Sequence, residues 1–393
     1  MATLLTNARI INGEGEVFVD HALLIDGDEI VDLAARETFA GTSAEIRDLS
    51  GATIVPGLID CHVHLCYAGE PNPGRAVEDL SPGQTTIRAL ANAQQTLRGG
   101  VTSVRDCGGV DYLEFAVRDG CNNGTFLGPT IRAAGRMICM TGGHGNRFGR
   151  IADGVDEVVK AVREQVHAGS DLVKIMATGG VMTPGVNPED AHYSAEEMAA
   201  GIAEGHRFHK RCASHAQGTE GILNAVRGGI DSIEHGIFMS DECIEEMVAQ
   251  GTYLVPTLAA LANILDGADK VPEYVIEKAQ RIAETHRQSF VSYYQAGGKV
   301  AMGTDAGTPF NMHGANADEL HYMVKNGMTP MDAIIASTAN AADLMGLPER
   351  GRLKAGQKAD LLVVQGDPLS DIAMVADRAN HQFVMKNGQY VNS

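Results

Sequence analysis

The clearest structural pattern in the chain is Ile54-Val55-Pro56-Gly57-Leu58-Ile59-Asp60-Cys61-His62-Val63-His64. An apolar run ends in two histidines, and the run and its tail together are typical of one β-strand. Because residues i and i+2 of a strand point to the same side, His62 and His64 can aim two imidazoles at one point. Neutral imidazole is the commonest metal ligand among side chains. A lone His-x-His pair is more often structural than metal-binding, so a metal site can be predicted only if other potential ligands occur along the chain.

Short apolar runs of this kind recur between amphipathic helical stretches from residue 56 to about residue 340. The eight predicted strands are Ile54–Ile59, Thr102–Arg105, Thr130–Gly135, Leu172–Met176, Cys212–His215, Ser232–Glu234, Tyr253–Pro256 and Lys299–Gly303. Eight strands alternating with helices predict an α/β fold, namely a parallel (β/α)₈ TIM-like barrel. A doubly wound open sheet remains the alternative, because periodicity alone does not separate the two.

The two ends of the chain have a different pattern, with short strands and turn signals such as Asn12-Gly13 and Asn387-Gly388. We therefore predict three segments. Residues 1–55 and 346–393 form one accessory β-sandwich built from both termini, and residues 56–345 form the barrel.

The charge balance limits the partners of the chain. Its 31 basic and 50 acidic residues give a formal net charge of −19. Nucleic acids and anionic membrane surfaces are bound by clustered Lys and Arg, so we expect neither as a partner. A small-molecule substrate is the remaining expectation.

The cysteines and the hydropathy pattern bear on location. The seven cysteines are scattered and include no Cys-x-x-Cys, which is typical of reduced thiols in a cytoplasmic protein. The N-terminus lacks the pattern of a signal peptide, and no apolar run is long enough to span a membrane. We expect a cytoplasmic protein.

Five of the eight predicted strands carry a plausible metal ligand in or just after them. These residues are His62, His64, Lys174, His215, His235 and Asp305. Each has an ordinary structural interpretation by itself: a paired lysine, an interior histidine or a helix cap. In a parallel barrel, however, all strand C-termini face the side where active sites lie. The six residues together therefore predict a metal site.

This set resembles the amidohydrolase superfamily of metal-dependent hydrolases. The resemblance rests on the motif from Pro56 to His64, on the other four predicted ligands and on the tail that begins Gly351-Arg352-Leu353. It implies two divalent metal ions, with His62, His64 and Asp305 on the first and with His215 and His235 on the second. Lys174 would bridge them as an N6-carboxylated lysine. A mononuclear site with unmodified Lys174 is the alternative, and zinc is the expected metal.

The resemblance also implies a mechanism. A metal-activated hydroxide attacks a carbonyl, and Asp305 acts as general base and then as general acid. Loops after strands 3 and 4 look like those of prolidase-like members, which cleave Xaa-Pro, Xaa-Arg and N-acyl amino acids, and like the ochratoxinase group. His144 would then act catalytically at the substrate carbonyl or carboxylate. Tyr193, Arg147 and Arg136 are candidates for gripping a carboxylate.

One position departs from this group. Some dipeptidase members have His-Ala-Tyr after strand 5, where this chain has His215-Ala216-Gln217. Three hypotheses therefore stay open. The first is a zinc-dependent dipeptidase, carboxypeptidase or amidase, and the second is a cyclic amidase, imidazolonepropionase-like hydrolase or deaminase on the same site. The third is a non-catalytic scaffold. By analogy with relatives, we expect a homo-oligomer.

Overall fold

The computed structural model describes residues 2–391 and contains α-helices and β-strands throughout. The strands are β1 Thr3–Thr6, β2 Arg9–Ile11, β3 Val17–Phe18, β4 His21–Asp26, β5 Glu29–Ala35, β6 Glu45–Asp48, β7 Ala52–Pro56, β8 Leu58–Val63, β9 Val101–Asp106, β10 Thr130–Ala133, β11 Ile138–Cys139, β12 Arg150–Ile151, β13 Leu172–Met176, β14 Arg211–Ala216, β15 Ser232–His235, β16 Tyr253–Val255, β17 Leu361–Gln365, β18 His381–Lys386 and β19 Gln389–Val391. The helices are α1 Pro73–Glu78, α2 Pro82–Arg98, α3 Leu113–Asn122, α4 Val155–Ala168, α5 Ala195–Arg207, α6 Thr219–Arg227, α7 Asp241–Gln250, α8 Leu258–Asp266, α9 Glu273–Gln295, α10 Asp318–Lys325, α11 Pro330–Ala336, α12 Ala339–Met345 and α13 Ala373–Ala376.

Strands from the two ends of the chain share a sheet. One sheet has the order β19-β18-β17-β7-β2-β3, and a second has the order β5-β4-β1-β6. The join between the ends is the antiparallel pair of β7 and β17, with Ile54 opposite Val363. Both residues belong to a buried cluster that also contains Leu5 and Leu23 from the second sheet. Apolar side chains of both sheets therefore form one small core.

The prediction of a single strand over Ile54–Ile59 is wrong. Strand β7 ends at Pro56 and β8 begins at Leu58, and the hydrogen-bond partners change between them. The Gly57 N–H donates to the Asp360 carbonyl of the terminal segment, whereas the Leu58 N–H donates to the Gly100 carbonyl beside β9. A Cβ on Gly57 would lie 2.3 Å from the Thr102 Oγ1 atom. The glycine thus lets the chain pass from one sheet to the next at close range.

The middle of the chain is built from parallel strands joined by helices. One sheet has the order β10-β9-β8, and another has the order β12-β11-β13-β14-β15-β16. The strands β13 to β16 pair in chain order and in parallel, as βαβ units require. Consequently their C-terminal ends lie on one side of the molecule.

The predicted strand Lys299–Gly303 is not a regular strand, although its backbone is bonded on both sides. The Ala301 N–H donates to the Leu254 carbonyl in β16 over 3.0 Å, and the Cys61 N–H in β8 donates to the Met302 carbonyl over 2.8 Å. A further bond runs from the Asp305 N–H to the His62 carbonyl, 2.7 Å away. This segment therefore connects β16 to β8, and it carries Asp305 to the end of β8.

The structure also bears on two expectations from the sequence, which concern the cysteines and membrane-spanning segments. All seven cysteines are free and buried. None of the helices within residues 2–391 is both long and apolar enough to cross a membrane.

Candidate active site

The six predicted metal ligands line one cavity of about 460 Å³. Four of them lie in the parallel strands β8, β13, β14 and β15. Of the other two, one directly follows β8, and one directly follows residues 300–304, the segment that connects β16 to β8. They are His62, Lys174, His215 and His235 in the strands, and His64 and Asp305 after them. The cavity volume is within the usual range for small-molecule sites. Residues far apart in the sequence thus converge because the strand ends do.

The nitrogen and oxygen atoms of this cluster are close enough to share a cation. The His64 Nε2 atom lies 3.1 Å from the Asp305 Oδ1 atom, and the His62 Nε2 atom lies 3.5 Å from the same oxygen. His62, His235 and Asp305 each offer one atom within 4.8 Å of the others'. The rings of His215 and His235 are 4.5 Å apart between centroids. The donor set of imidazoles and one carboxylate suits a divalent transition metal.

Two of these residues have an unusual backbone conformation. Asp305 has φ of 63° and His235 has φ of 74°, both in the left-handed region that non-glycine residues rarely adopt. Such strain persists only where the surrounding structure compensates for it, and it is concentrated at functional sites. His235 is the last residue of β15, and Asp305 directly follows the 300–304 segment, so both residues lie where an extended stretch of backbone ends.

Each of the three histidines nearest Asp305 uses its Nδ1 atom for a contact with another residue of the protein. The His62 Nδ1 atom lies 2.7 Å from the Glu234 Oε2 atom, and the His64 Nδ1 atom lies 2.8 Å from the Gly108 carbonyl oxygen. The His235 Nδ1 atom lies 2.7 Å from the Thr257 Oγ1 atom. Such contacts orient histidine ligands and leave Nε2 free to bind a metal.

Glu234 is the centre of a buried polar cluster behind His62. Its second oxygen accepts a hydrogen bond from the Arg105 guanidinium over 2.7 Å and from the Ser232 hydroxyl over 2.6 Å. Arg105 and Glu234 are both buried, so the pair balances two charges that would be costly to bury alone. Neither residue could be expected from the sequence to act at the site, because nothing in the local pattern around Glu234 reveals a partner 172 positions away.

Asp60 also belongs to the motif from Ile54 to His64, but no role at the site was predicted for it from the sequence. Its carboxylate accepts hydrogen bonds from the His62 N–H, from the Thr304 hydroxyl over 2.6 Å and from the Asn316 amide over 2.7 Å. Burial raises the pKa of Asp60 to about 6. The residue ties the end of β8 to the segment that carries Asp305. An acidic residue in an otherwise apolar strand was the only sequence signal.

Three of the four histidines and the carboxylate of Asp305 favour the protonation states that bind metals. Burial lowers the pKa of three histidines well below the usual value, and neighbouring positive groups add to this effect; they are His62, His215 and His235. Burial alone would also lower the pKa of His64, but the contact with Asp305 outweighs it and raises that pKa. The nearby His62 and His64 lower the pKa of Asp305 despite its burial. Neutral imidazoles and an ionised carboxylate are the forms that bind metals.

Lys174 is buried and makes no hydrogen bond or close ion pair with the residues that the structure describes. Its side chain is 2% exposed, and its Nζ atom has no hydrogen-bond partner among residues 2–391. A buried ammonium group without a partner is costly, and the surrounding histidines offer no compensating charge. An anionic derivative of this nitrogen would fit the same surroundings in the presence of cations. The orphaned atom therefore agrees with a metal-bridging role.

His144 lines the same cavity, on the side of His215. The two rings are 4.5 Å apart between centroids, and the His144 Nδ1 atom lies 2.7 Å from the Thr183 Oγ1 atom. Burial lowers the pKa of His144 to about 3, with His192 and Lys174 adding to the effect. A neutral His144 with its Nδ1 atom engaged presents its Nε2 atom to a bound molecule.

The three predicted carboxylate-binding residues are placed differently. Arg147 lines the cavity, but its guanidinium is bonded to the Glu78 carboxylate. The Arg136 guanidinium is bonded to Asp111 instead, and Arg136 is outside the cavity lining of the described structure. Tyr193 is also outside the lining.

The Tyr193 hydroxyl donates to the Ala152 carbonyl over 2.9 Å, in a buried position. Of the three residues, therefore, only Arg147 is placed where it can reach a bound molecule.

Comparisons with known proteins agree with this geometry. The family model described as "Amidohydrolase family" matches residues 53–391. Ochratoxinase of Aspergillus niger is 31% identical over 430 residues, which cover 98% of this chain and 86% of the relative. A solved Xaa-Pro dipeptidase with bound methionine in its active site has a TM-score of 0.92 at 32% identity, with 99% of each chain covered. Imidazolonepropionase of Deinococcus radiodurans is 26% identical over 396 residues, which cover 92% of this chain and 89% of the relative.

Proposed function

Because this chain belongs to the amidohydrolase family, we propose that it hydrolyses the C–N bond of a dipeptide or an N-acyl amino acid. Family membership and the amide-cleaving relatives already support a metal-dependent hydrolase acting on small molecules. The observation that carries the finer proposal is the convergence of six potential ligands in one cavity, including a buried lysine whose Nζ atom has no hydrogen-bond partner among the described residues. All six are present, which argues against a non-catalytic scaffold.

We propose that the metal ligands divide as the family resemblance implies. His62, His64 and Asp305 would hold one divalent ion, and His215 and His235 would hold a second. Lys174, carboxylated on Nζ, would bridge the two, and the lack of a hydrogen-bond partner for this nitrogen among the described residues supports that role. Zinc is the proposed metal, because imidazole and carboxylate ligands suit it.

Bound divalent ions lower the pKa of water and polarise a carbonyl oxygen, which is the chemistry that amide hydrolysis needs. The chain supplies the remaining steps. Asp305, whose pKa is lowered, is ionised near neutral pH and accepts the proton of the attacking water at a carboxylate oxygen. It then delivers this proton to the leaving nitrogen. His144, held by Thr183, donates from Nε2 to the substrate carbonyl or carboxylate oxygen.

We also propose the architecture on which this site is built. The parallel strands and the 300–304 segment that connects β16 to β8 would form one closed (β/α)₈ barrel over residues 56–345. Residues 1–55 and 346–393 would form the accessory β-sandwich. The hydrogen bonds from β16 through this segment to β8 support closure, and the pairing of β7 with β17 supports a sandwich made from both ends.

Location and assembly are further proposals. The seven free, buried cysteines fit a reducing cytoplasm. A homo-oligomer is proposed by analogy with relatives. Light scattering of the purified protein tests the assembly, and a monomer at micromolar concentration would contradict it.

The test of the function is a substrate screen with metal analysis. The purified protein is assayed against dipeptides, including Xaa-Pro and Xaa-Arg, and against N-acyl amino acids, with release of free amino acid as the readout. Cyclic amides and imidazolones form a second panel, because a relative with imidazolonepropionase activity favours them as the second candidate. Cleavage of linear amides is the expected result. Turnover of ring substrates alone would overturn the proposal in favour of the second candidate.

A further inference from the structure

One side of the active-site cavity is apolar, and we call it the apolar wall. It comprises Val181, Met182, Ile237, Leu261, Ile264 and Ile282. Five of these side chains are part of one buried cluster that is separate from the main core, and Met182 packs against it. The wall therefore continues into a packed layer behind it and is not a scatter of single apolar residues.

We propose that the apolar wall binds an uncharged apolar side chain of the substrate. The enzyme would then prefer dipeptides and N-acyl amino acids with a bulky aliphatic or aromatic group to those with an arginine or lysine side chain. This inference rests on the proposed amide hydrolysis and names the substrate class for that site. Removing such a group from water against the wall stabilises the bound substrate through the hydrophobic effect.

The charges around the cavity argue against a cationic side chain. Asp305 is the only acidic residue that lines the cavity in residues 2–391, and it already faces His62 and His64. The basic Arg147 lines the same space, and its guanidinium is bonded to the Glu78 carboxylate. A buried substrate guanidinium or ammonium group would thus lose its hydration without gaining a carboxylate partner.

The polar group beside the wall is neutral. Gln217 lines the cavity and is 5% exposed, and its Oε1 atom has no hydrogen-bond partner among the described residues. Its backbone is held in place, because its N–H donates to the Thr178 hydroxyl and its carbonyl accepts the Phe238 N–H over 2.7 Å. An unpaired buried amide is costly unless a ligand satisfies it. Gln217 therefore suits a neutral or main-chain group of the substrate next to its apolar side chain.

The wall is preformed by contacts from α9. The Tyr274 hydroxyl donates to the Met182 carbonyl, 3.2 Å away. The Lys278 ammonium donates to the carbonyls of Thr183, over 2.9 Å, and of Val186, over 2.6 Å. These bonds fix the loop that carries part of the wall and also holds His144. Binding against a preformed surface costs little conformational entropy.

The experiment compares matched substrates on the metal-loaded enzyme. The values of kcat/KM are measured for Ala-Leu, Ala-Phe, Ala-Lys and Ala-Arg and for the corresponding N-acetyl amino acids. We expect the apolar members to be favoured by roughly tenfold or more, in keeping with the selectivity of apolar pockets. Preference for Ala-Arg or Ala-Lys would overturn the inference and leave the proposed hydrolysis intact. Absence of cleavage across the panel would overturn both.

Two variants on α8 compare the effect of a carboxylate inside the wall with that of a carboxylate elsewhere on the same helix. Leu261→Asp places a carboxylate in the wall and should lower kcat/KM for Ala-Phe while narrowing the gap to Ala-Arg. Ala262→Asp places the same charge on the same helix, outside both the cavity lining and the cluster behind it, and should leave the selectivity unchanged.

A milder variant covers the case in which Leu261→Asp does not fold. Ile264→Ala enlarges the cavity and should reduce kcat/KM for Ala-Phe but not for Ala-Ala. Equal loss for both substrates would contradict the proposal.

Discussion

The Nδ1 atom of His62 lies 2.7 Å from the Oε2 atom of Glu234, and both side chains are almost fully buried. This contact fixes the ring of a histidine whose Nε2 atom faces Asp305. Because Glu234 also binds Arg105, the orientation of His62 depends on a charged pair that lies outside the cavity. The first histidine of the strand motif is thus held by residues of two other strands.

The contact predicts the effect of Glu234→Gln. The amide keeps the shape of the side chain but removes the negative charge that supports the imidazole. We expect a 10- to 100-fold loss of metal affinity or activity, as is typical when such an outer partner is changed. Metal titration followed by a peptidase assay measures both quantities. The control is Glu246→Gln, because among the described residues Glu246 pairs with the exposed Arg227 alone. Equal behaviour of the two variants would contradict the role of Glu234.

The bridging role of Lys174 predicts a dependence on bicarbonate. Metal-free protein is reloaded with zinc in buffers depleted of or supplemented with bicarbonate. If Nζ must be carboxylated to bind, recovery of activity should be greater with bicarbonate. Lys174→Met, which keeps the length of the side chain without its nitrogen, should stay inactive in both buffers. A full recovery without bicarbonate, or an active Lys174→Met variant, would speak against the carboxylated lysine.

Thr183 is predicted to position His144. Thr183→Val keeps the volume of the side chain but removes the oxygen that lies 2.7 Å from the His144 Nδ1 atom. We expect kcat to fall by tenfold or more with metal content unchanged, and His144→Asn should have a larger effect of the same kind. Activity and bound zinc are measured on the same samples. A loss of metal in Thr183→Val would show that the loop has a different role.

Glu319 predicts a pH dependence of stability that is independent of catalysis. Burial raises its pKa from 4.5 to about 8, although the carboxylate accepts the N–H groups of Leu258 and Ala259. Between these two values the folded state binds more protons than the unfolded state, so stability falls as the pH rises. The slope contributed by Glu319 approaches about 1.4 kcal/mol per pH unit.

This pH effect can be isolated with Glu319→Gln. The midpoint of thermal unfolding of metal-free wild-type protein and of the variant is compared at pH 5 and pH 8. The wild-type protein should lose more stability toward pH 8 than Glu319→Gln does. Parallel curves for the two proteins would rule out the proposed titration.

Part of the site could be predicted from the sequence because its geometry follows from simple periodicity. Ligands at i and i+2 share one side of a strand, and parallel strands bring their C-terminal ends together. That is why the convergence of His62, His64, His215 and His235 on one cavity could be expected from the sequence without any knowledge of contacts. The predicted resemblance to the amidohydrolases is confirmed by the family match over residues 53–391.

The remainder depends on contacts that the sequence does not encode locally. The single strand predicted over Ile54–Ile59 is interrupted because the chain passes from one sheet to another at Gly57. The evidence for this is the change of hydrogen-bond partners and the close packing of Thr102, neither of which is visible in the sequence. Arg136 looked suited to a carboxylate, yet it is bonded to Asp111. Long-range pairs such as His62 with Glu234 depend on the register of distant strands.

The most direct test of the account is the metal content of the purified protein and of its His62→Ala variant, measured together with amide turnover and circular dichroism. We predict about two divalent ions per chain in the wild-type protein. In the variant we predict less than one ion and almost no turnover, with an unchanged dichroism spectrum. A His62→Ala protein with full metal content and full turnover would contradict the account.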